Sequence, residues 1–556
     1  MWKKCKKPGI LIVVIILATT WVHGQEPWYK TTTVYQIYPR SFYDSNGDGI
    51  GDIKGIISKL DYLKDLGIET IWVSPFFSSP QADFGYDISN FKAISADYGT
   101  MEDCQTLIQE VHNRGMRILL DLVMNHTSNQ HPWFIESASS ENNPKRNWYI
   151  WKKGKKKPTN WKSMTGGSGW NYSPKTDSWY WASFLPFQPD LNYYNPETKA
   201  EMLQTARFWL EKGVDGFRLD IFNCIYEDSL FRNNPGSLKM VPSEENTNGF
   251  FQKNLYTQNQ TGSIQFAREL RQVMNSYTEP KYAVGEVFGK ANLIKQFCGN
   301  DSGLTSVFLF KSLHTPFKAS KWGKLIQELD SNFQNPLFPT WVLSNHDKKR
   351  FISRMGNRID KMKLIASLQL TQRGIPFLYY GEELGMKQAR IPFKSSLDPI
   401  PKKYGRLANT LAKWSGESMN RDECRTPMQW DSLPNAGFTT NKSPWLPVNG
   451  DYQTINVESE TLDQFSLLNQ YRSLIRLRKE NPILALGQIQ EIKWKRKVLQ
   501  ITRNWKGKTI ILLYNFRGKA SKVKWPETGK IYSLTHHFQK ERNLLRPYEA
   551  AIWKED

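Results

Sequence analysis

Apolar and polar positions along the chain alternate between two periods. Short runs rich in β-branched and aromatic residues fall at 33–37, 70–74, 117–123, 216–219, 282–285, 307–310, 340–343 and 377–380. Between them lie stretches with the spacing of amphipathic helices, among them 56–66, 101–114, 201–212, 263–276 and 360–372. Gly67, Gly115 and Gly213 follow three of these stretches, where a helix closes in a left-handed cap. Eight strands with intervening helices predict an α/β fold, a parallel (β/α)8 TIM barrel. An open doubly wound sheet is the alternative, but no G-x-G-x-x-G follows any of these runs.

Two stretches break the rhythm. Residues 126–192 are rich in Trp, Asn, Ser, Gly and Lys without a helical period, and read as an irregular domain inserted after the third strand. Beyond about residue 482 the pattern shortens to alternating runs at 489–494, 498–503, 509–514 and 522–525, which predict a small all-β domain over 483–556. The barrel is thereby expected over 25–125 and 193–482. The first 24 residues differ again: Lys3, Lys4, Lys6 and Lys7, an apolar middle over 9–20, then Val22-His23-Gly24. That is the layout of a cleaved secretory signal, with a retained short anchor as the alternative. No repeat of solenoid length is present.

Composition narrows the classes. Hydrophobic residues make up 39% and charged residues 23% of 556, enough for a large core and against wholesale disorder. The one continuously apolar run, 10–18, is far short of the ~20 residues that a membrane helix needs. A net charge of +22, or +18 without the four leader lysines, raises an acidic partner as a question. The densest basic run, 152–157, sits among Trp, Pro, Asn and Gly as a solvated loop would, and no nucleic-acid-binding motif accompanies it, so no nucleic-acid partner is expected. Cys104, Cys224, Cys298 and Cys424 show neither C-x-x-C nor zinc spacing and are expected as buried thiols or one or two disulfides. Asn171, Asn259, Asn300 and Asn441 open N-x-S/T sequences that a secretory host could glycosylate.

In a barrel, chemistry stands at the carboxyl ends of strands. The third strand ends Asp121-Leu-Val-Met-Asn125-His126, the fourth Gly216-Phe-Arg218-Leu-Asp220, the fifth Val284-Gly-Glu286 and the seventh Ser344-Asn-His346-Asp347. One such carboxylate is usually a cap or a turn residue. Several on neighbouring strand ends suit glycoside hydrolysis, where an ionised and a protonated carboxyl flank the scissile bond. Arg218, two residues before Asp220, shares its face and would keep it ionised as a nucleophile. Glu286, among Val284, Val287 and Phe288, is the candidate proton donor.

These four segments, in this order, resemble the four conserved regions of the α-amylase superfamily, glycoside hydrolase family 13. The chain is similar to its α-glucosidase and oligo-1,6-glucosidase branch, including secreted animal maltases and sucrases. Gln188-Pro-Asp-Leu-Asn192, Arg425-Thr-Pro-Met-Gln-Trp-Asp431 and Tyr35-Gln-Ile-Tyr-Pro-Arg-Ser-Phe42 carry further wording of that branch, from about Trp28 to the carboxyl end. The resemblance implies a secreted, retaining exo-α-glucosidase acting on small α-glucosides, with no obligate protein partner and no organic cofactor. Asp220 would be the nucleophile, Glu286 the acid and then base, and Asp347 the transition-state stabiliser. His126, His346 and Arg218 would hydrogen-bond the glucose, Tyr86 would stack on it and Phe184 would wall it. Asp83 and Arg425 would pair at its non-reducing end.

Asp44-Ser-Asn46-Gly-Asp48-Gly-Ile50-Gly-Asp52 alternates oxygen ligands with glycines, and Gly55 stands where an EF-hand places its Glu. An Asx-rich turn is the plain reading. The segment also resembles the calcium loop of this branch, which implies a structural Ca2+ held by Asp44, Asn46, Asp48, the Ile50 carbonyl and Asp52. Three positions depart from the branch: Thr165 where Phe is common, Lys348-Lys349 after Asp347, and Ile221 after the nucleophile. In the family a small residue at the last position goes with α-1,4 preference and a bulky Val with α-1,6, so Ile221 leaves isomaltose-type bonds, sucrose or glucosyl transfer open. The enzyme alternative is a transglucosidase or sucrose isomerase. The non-enzyme alternative is the transporter heavy chain of the same architecture, which predicts a membrane span and a damaged triad.

Overall fold

The computed structural model describes residues 26–403, 419–535 and 543–555. The leader read at 1–24 lies outside the described residues. Eight parallel strands form one sheet: β1 (Val34–Ile37), β2 (Thr70–Val73), β3 (Arg117–Leu122), β4 (Gly216–Leu219), β5 (Tyr282–Gly285), β6 (Ser306–Val307), β7 (Thr340–Val342) and β8 (Ile375–Tyr379). Their order, β6-β5-β4-β3-β2-β1-β8-β7, places each strand beside its neighbours in sequence, as a barrel requires. β1, β2 and β4 are buried along their whole length, the signature of a parallel sheet covered on both faces. Val34, Trp72, Leu119, Val284, Phe308, Val342 and Phe377 form the interior cluster. β4 adds only Gly216 to that layer, because a Cβ there would lie 1.8 Å from the Tyr282 carbonyl oxygen.

Helices begin and end where local chemistry dictates. Thr100 and Asp103 close a reciprocal capping box on the helix Met101–Asn113, and Asn195 with Pro196 at the first position starts Pro196–Glu211. Gly67, at φ 95°, ends Leu60–Leu66 in the left-handed cap that its position predicts. The stretch expected as one helix over 56–66 is two, Ile53–Ser58 and Leu60–Leu66, broken at Lys59. The sixth strand is shorter than its apolar run, because the chain turns at Phe310 into the helix Lys311–His314.

The stretch after β3 is more ordered than its composition predicts. Pro132–Ser139 is a helix, and Trp151–Lys153, Ser178–Trp181 and Trp170–Ser173 form an antiparallel sheet in that order. Trp161, Trp170 and Trp181 pack on one another and fill its core. At the carboxyl end, Gln488–Lys495, Val498–Trp505, Lys508–Asn515, Ala550–Lys554 and Lys530–Ser533 form a second antiparallel sheet. The run at 522–525 does not join it; Ser521–Lys522 pairs separately with Leu544–Leu545. Two buried guanidinium groups join this sheet to the barrel floor. Arg503 donates to the carbonyls of Thr371, Leu484 and Gly487, and Arg478 to those of Leu370, Gln372, Leu484 and Gly374. The four cysteines Cys104, Cys224, Cys298 and Cys424 are buried and free. Among the described residues no helix is long and apolar enough to cross a membrane.

The sheet has one seam, between β6 and β7, where no ladder pairing forms. Thr340 spans it with its side chain: the hydroxyl donates to the Val307 carbonyl at 2.9 Å and accepts from the Leu309 amide at 3.0 Å. Thr340→Val keeps the shape and leaves that carbonyl and that amide buried without partners. The expected loss is about 1–3 kcal/mol of unfolding free energy, read from urea denaturation.

Candidate active site

Strand register assembles the site. Arg218 on β4 lies directly beside Asp121 on β3 and Val284 on β5. Two residues further along, the same alignment brings Asp220 and Glu286 to one height above the barrel mouth. The Arg218 guanidinium, 1% exposed, therefore faces three carboxyls. Its Nη1 donates to Asp121 Oδ1 at 2.9 Å and to Asp220 Oδ1 at 2.7 Å, and its Nη2 donates to Glu286 Oε2. A single cation cannot neutralise three buried anions, so one of the carboxyls keeps its proton. Burial pushes the Glu286 carboxyl up to about 8, against the attraction of Arg218 and helped by the charges of Asp220, Asp347 and Asp121. Burial likewise raises Asp121, opposed by Arg218.

Asp347 sits in the opposite field. Burial raises its carboxyl, but His346 and the guanidinium groups of Arg425, Arg421 and Arg218 outweigh that and hold it well below the usual carboxylate range. Arg425 Nη2 donates to Asp347 Oδ1 at 2.9 Å, and His346 Nε2 lies 3.2 Å from Oδ2. Two carboxyls of one site are thus pushed apart, one towards the acid and one towards the ion.

An aromatic and imidazole layer closes the base. The Gln36 amide donates to His346 Nδ1 at 2.8 Å, which leaves Nε2 as the protonated nitrogen of a neutral ring. Nε2 lies 2.6 Å from the Tyr86 hydroxyl, and that hydroxyl donates to Asp121 Oδ2 at 3.1 Å. The rings of Tyr86 and His346 are parallel, 5.3 Å apart. Burial lowers both histidines, His126 to about 4 and His346 well below its ordinary value, so both are neutral hydrogen-bonding groups at neutral pH. His126 Nε2 is 3.2 Å from the Tyr86 carbonyl.

The turn after Asp220 is strained. Ile221 has φ 31° and ψ 44°, a left-handed conformation that a β-branched residue rarely adopts. Phe222 N donates to the Glu286 carbonyl at 2.9 Å and Glu286 N to the Leu219 carbonyl at 2.8 Å, which fix this turn against the neighbouring strand end.

The pairing expected between Asp83 and Arg425 is not made. Asp83 Oδ1 accepts instead from Arg421 Nη2 at 2.5 Å, while Arg425 is drawn to Asp347 and to the His346 carbonyl at 2.8 Å. The 3-10 turn Arg421–Cys424 sets the two arginines so that both reach Asp347 while Arg421 also reaches Asp83. Asp398 completes the arrangement, accepting from Arg421 Nη2 at 2.8 Å. Burial raises Asp83 to about 6 although Arg421 and Arg425 pull it down. Sequence reasoning passed over Arg421 and Asp398; the available signal was a second arginine four residues before Arg425. Phe184 lies on the insert, half-buried, with its carbonyl held by the Thr165 hydroxyl at 3.0 Å. Lys348 is ion-paired with Glu244.

The Asp44–Asp52 loop stands apart from this network, bound to the segment after Trp430. Asp44 Oδ1 accepts from the amides of Asn46 at 3.1 Å and Gly47 at 2.7 Å, and Oδ2 from the Gly49 amide at 2.7 Å and the Thr439 hydroxyl. Asp52 caps the helix Ile53–Ser58 through Gly55 N and accepts from Ser45. Asn46 and Asp48 are more exposed and bonded only within the loop. The donor set, with the Ile50 carbonyl, is one that a hard cation takes. Among the described residues, no group of three or more His, Cys, Asp or Glu side chains is placed to hold a metal ion.

The family description "Alpha amylase, catalytic domain" matches residues 36–487. An oligo-1,6-glucosidase of Parageobacillus thermoglucosidasius is 39% identical over 497 residues, 83% of this chain and 85% of that protein. An α-glucosidase of Apis mellifera is 36% identical over 476 residues, 84% of this chain and 82% of that one. The crystal structure of a trehalulose synthase from Pseudomonas mesoacidophila MX-45 superposes with a TM-score of 0.86 at 33% identity, covering 96% of this chain and 100% of the other.

Arg421 is the shared counter-ion of Asp83, Asp398 and Asp347. Arg421→Ala strands buried carboxylates and is expected to cost about 3–5 kcal/mol of unfolding free energy. The loss should be larger at pH 8 than at pH 5, because Asp83 takes up a proton in the acid range once unpaired. Paired denaturant titrations at the two pH values measure it.

Proposed function

We propose that this chain, which belongs to the α-amylase family, is a retaining exo-α-glucosidase that removes terminal α-linked glucose from small sugars. The observation that carries the reading is one guanidinium, Arg218, holding Asp220 and Glu286 together while burial keeps the Glu286 proton in place to about pH 8. Asp220 attacks the anomeric carbon as Glu286 protonates the departing glycosidic oxygen, and a glucosyl ester of Asp220 forms. Glu286, now ionised, takes a proton from water, whose oxygen displaces Asp220 and releases α-glucose. Asp347, held ionised, accepts hydrogen bonds from sugar hydroxyls, and neutral His126 and His346 are placed to bond the same ring. The Asp83–Arg421 pair supports a closed non-reducing end, which limits the enzyme to single terminal units. We read the 1–24 leader as directing secretion.

A second reading, glucosyl transfer or sucrose isomerisation, has its own support. It draws on the likeness to a trehalulose synthase and on a cavity of about 170 Å3 beside the catalytic ends, lined by Met164, Phe250, Phe288 and Lys348 among others. A sugar retained there would compete with water for the glucosyl ester.

Time-resolved product chromatography with maltose, isomaltose and concentrated sucrose separates the two. Glucose, with fructose from sucrose, is expected, and isomeric or longer sugars would favour transfer. Asp220→Asn should lower turnover by ~10⁴-fold or more. Activity should fall as pH rises past about 8, where Glu286 loses its proton. Calcium at the Asp44–Asp52 loop is proposed on its donor set alone. If Ca2+ binds, adding it after chelation raises the thermal midpoint, by the equivalent of ~2.7 kcal/mol at a hundredfold excess over Kd, and Asp48→Ala removes the effect.

A further inference from the structure

Beside the nucleophile lie two carboxyls that the chemistry above does not use. Asp190, on the insert, is 1% exposed, and Glu227, seven residues beyond Asp220, is 4% exposed. Trp181 draws both into one pocket, its carbonyl accepting from the Asp190 amide and its indole donating to Glu227, and Asp190 Oδ2 is buried there with no donor of its own. The partners around them are neutral. The Trp181 indole donates to Glu227 Oε1 at 2.8 Å, and the Ser183 amide to Asp190 Oδ1 at 2.9 Å. The Asn125 amide reaches Ser183 Oγ at 3.0 Å, and the Tyr194 hydroxyl donates to the Glu227 carbonyl at 2.9 Å. Among the described residues the titratable groups that face them are the Cys224 thiol on the turn after β4, which Asp220 and Glu286 also act on, and the Tyr194 hydroxyl, all of the acidic kind.

Two carboxylates in one buried pocket, with no cation among their described neighbours, cannot both be ionised. We propose that Asp190 and Glu227 share one proton, and that this acid–carboxylate hydrogen bond latches the 183–190 strip of the insert onto the barrel as a wall of the sugar pocket. The strip is tied to the site along its length: Asp190 bridges backbone to backbone with His126, Gln188 Nε2 donates to Asp83 Oδ2 at 3.1 Å, and Ser183 at the other end accepts from Asn125 next to His126. Glu227 acts only through Asp190 and is a positioning residue.

The sign of the pH dependence follows. Burial, followed for Glu227 by the charge of Asp190, raises both carboxyls, Asp190 to about 7 and Glu227 well above its ordinary value. A carboxyl raised by folding stabilises the folded state below its unfolded value near pH 4, and that contribution is lost as pH rises through its folded value. The latch is therefore closed in weak acid and opens in alkali.

The test compares the full chain with Glu227→Gln and with Asp190→Asn. Either amide donates the hydrogen bond that the protonated carboxyl donates, and neither titrates. Thermal midpoints from pH 5 to 9 should fall less steeply with pH in each variant, the gap to wild type changing by ~2 °C or more between pH 6 and 9. The alkaline limb of kcat/KM should lose its second ionisation, leaving the single proton of Glu286. Parallel midpoint profiles in wild type and both variants would overturn the proposal, as would failure of both variants to fold at pH 6. The thermal comparison does not depend on the sugar-cleaving reading. An inactive protein that still shows the altered profile would sink that reading and leave the latch standing.

Discussion

One guanidinium among three carboxyls governs the site. Arg218 is buried, charged at every pH of interest, and bonded to side chains from three consecutive strand ends. Because the charges cannot balance, a proton must remain on one of the acids, and burial together with the charges of Asp220, Asp347 and Asp121 favours Glu286. Which of these carboxyls is protonated is therefore a matter of electrostatics within a rigid frame, rather than of which residue is Asp and which is Glu. The frame itself is strand register: Arg218 beside Asp121 and Val284 leaves no freedom over which strand ends meet.

The barrel was legible because its strands are buried on both faces and its helices on one, so each element left its own period. The acids at strand ends were legible for the same reason, since the strand fixes where a following residue points. What was not legible came from side chains reaching across the fold. Nothing local marks Arg421 as the partner of Asp83, which is 338 residues away in sequence. The helix Pro132–Ser139 escaped notice because one two-turn segment is too short for a period to register. The sheet strand Lys530–Ser533 was missed because it alternates half-buried and exposed residues without an apolar run.

Strain and electrostatics concentrate in the same few residues. Ile221 sits in a left-handed turn directly after Asp220, and its neighbour Phe222 is tied to the carbonyl of Glu286. A backbone held in that conformation persists only where surrounding bonds over-determine it. The turn thus fixes the distance between Asp220 and Glu286 more firmly than side-chain contacts alone would.

The arginine clamp under the barrel has a consequence for how the chain is made. Arg503 belongs to a strand that leaves the ribosome more than a hundred residues after Thr371, whose carbonyl it satisfies. Until it arrives, the end of the helix Ile359–Thr371 beneath β8 carries a buried carbonyl with only water to bond. Domains that fold in order of synthesis usually finish one before the next begins. A nascent chain that stops short of residue 503 therefore holds Asp220, Glu286 and Asp347 and still lacks a finished floor.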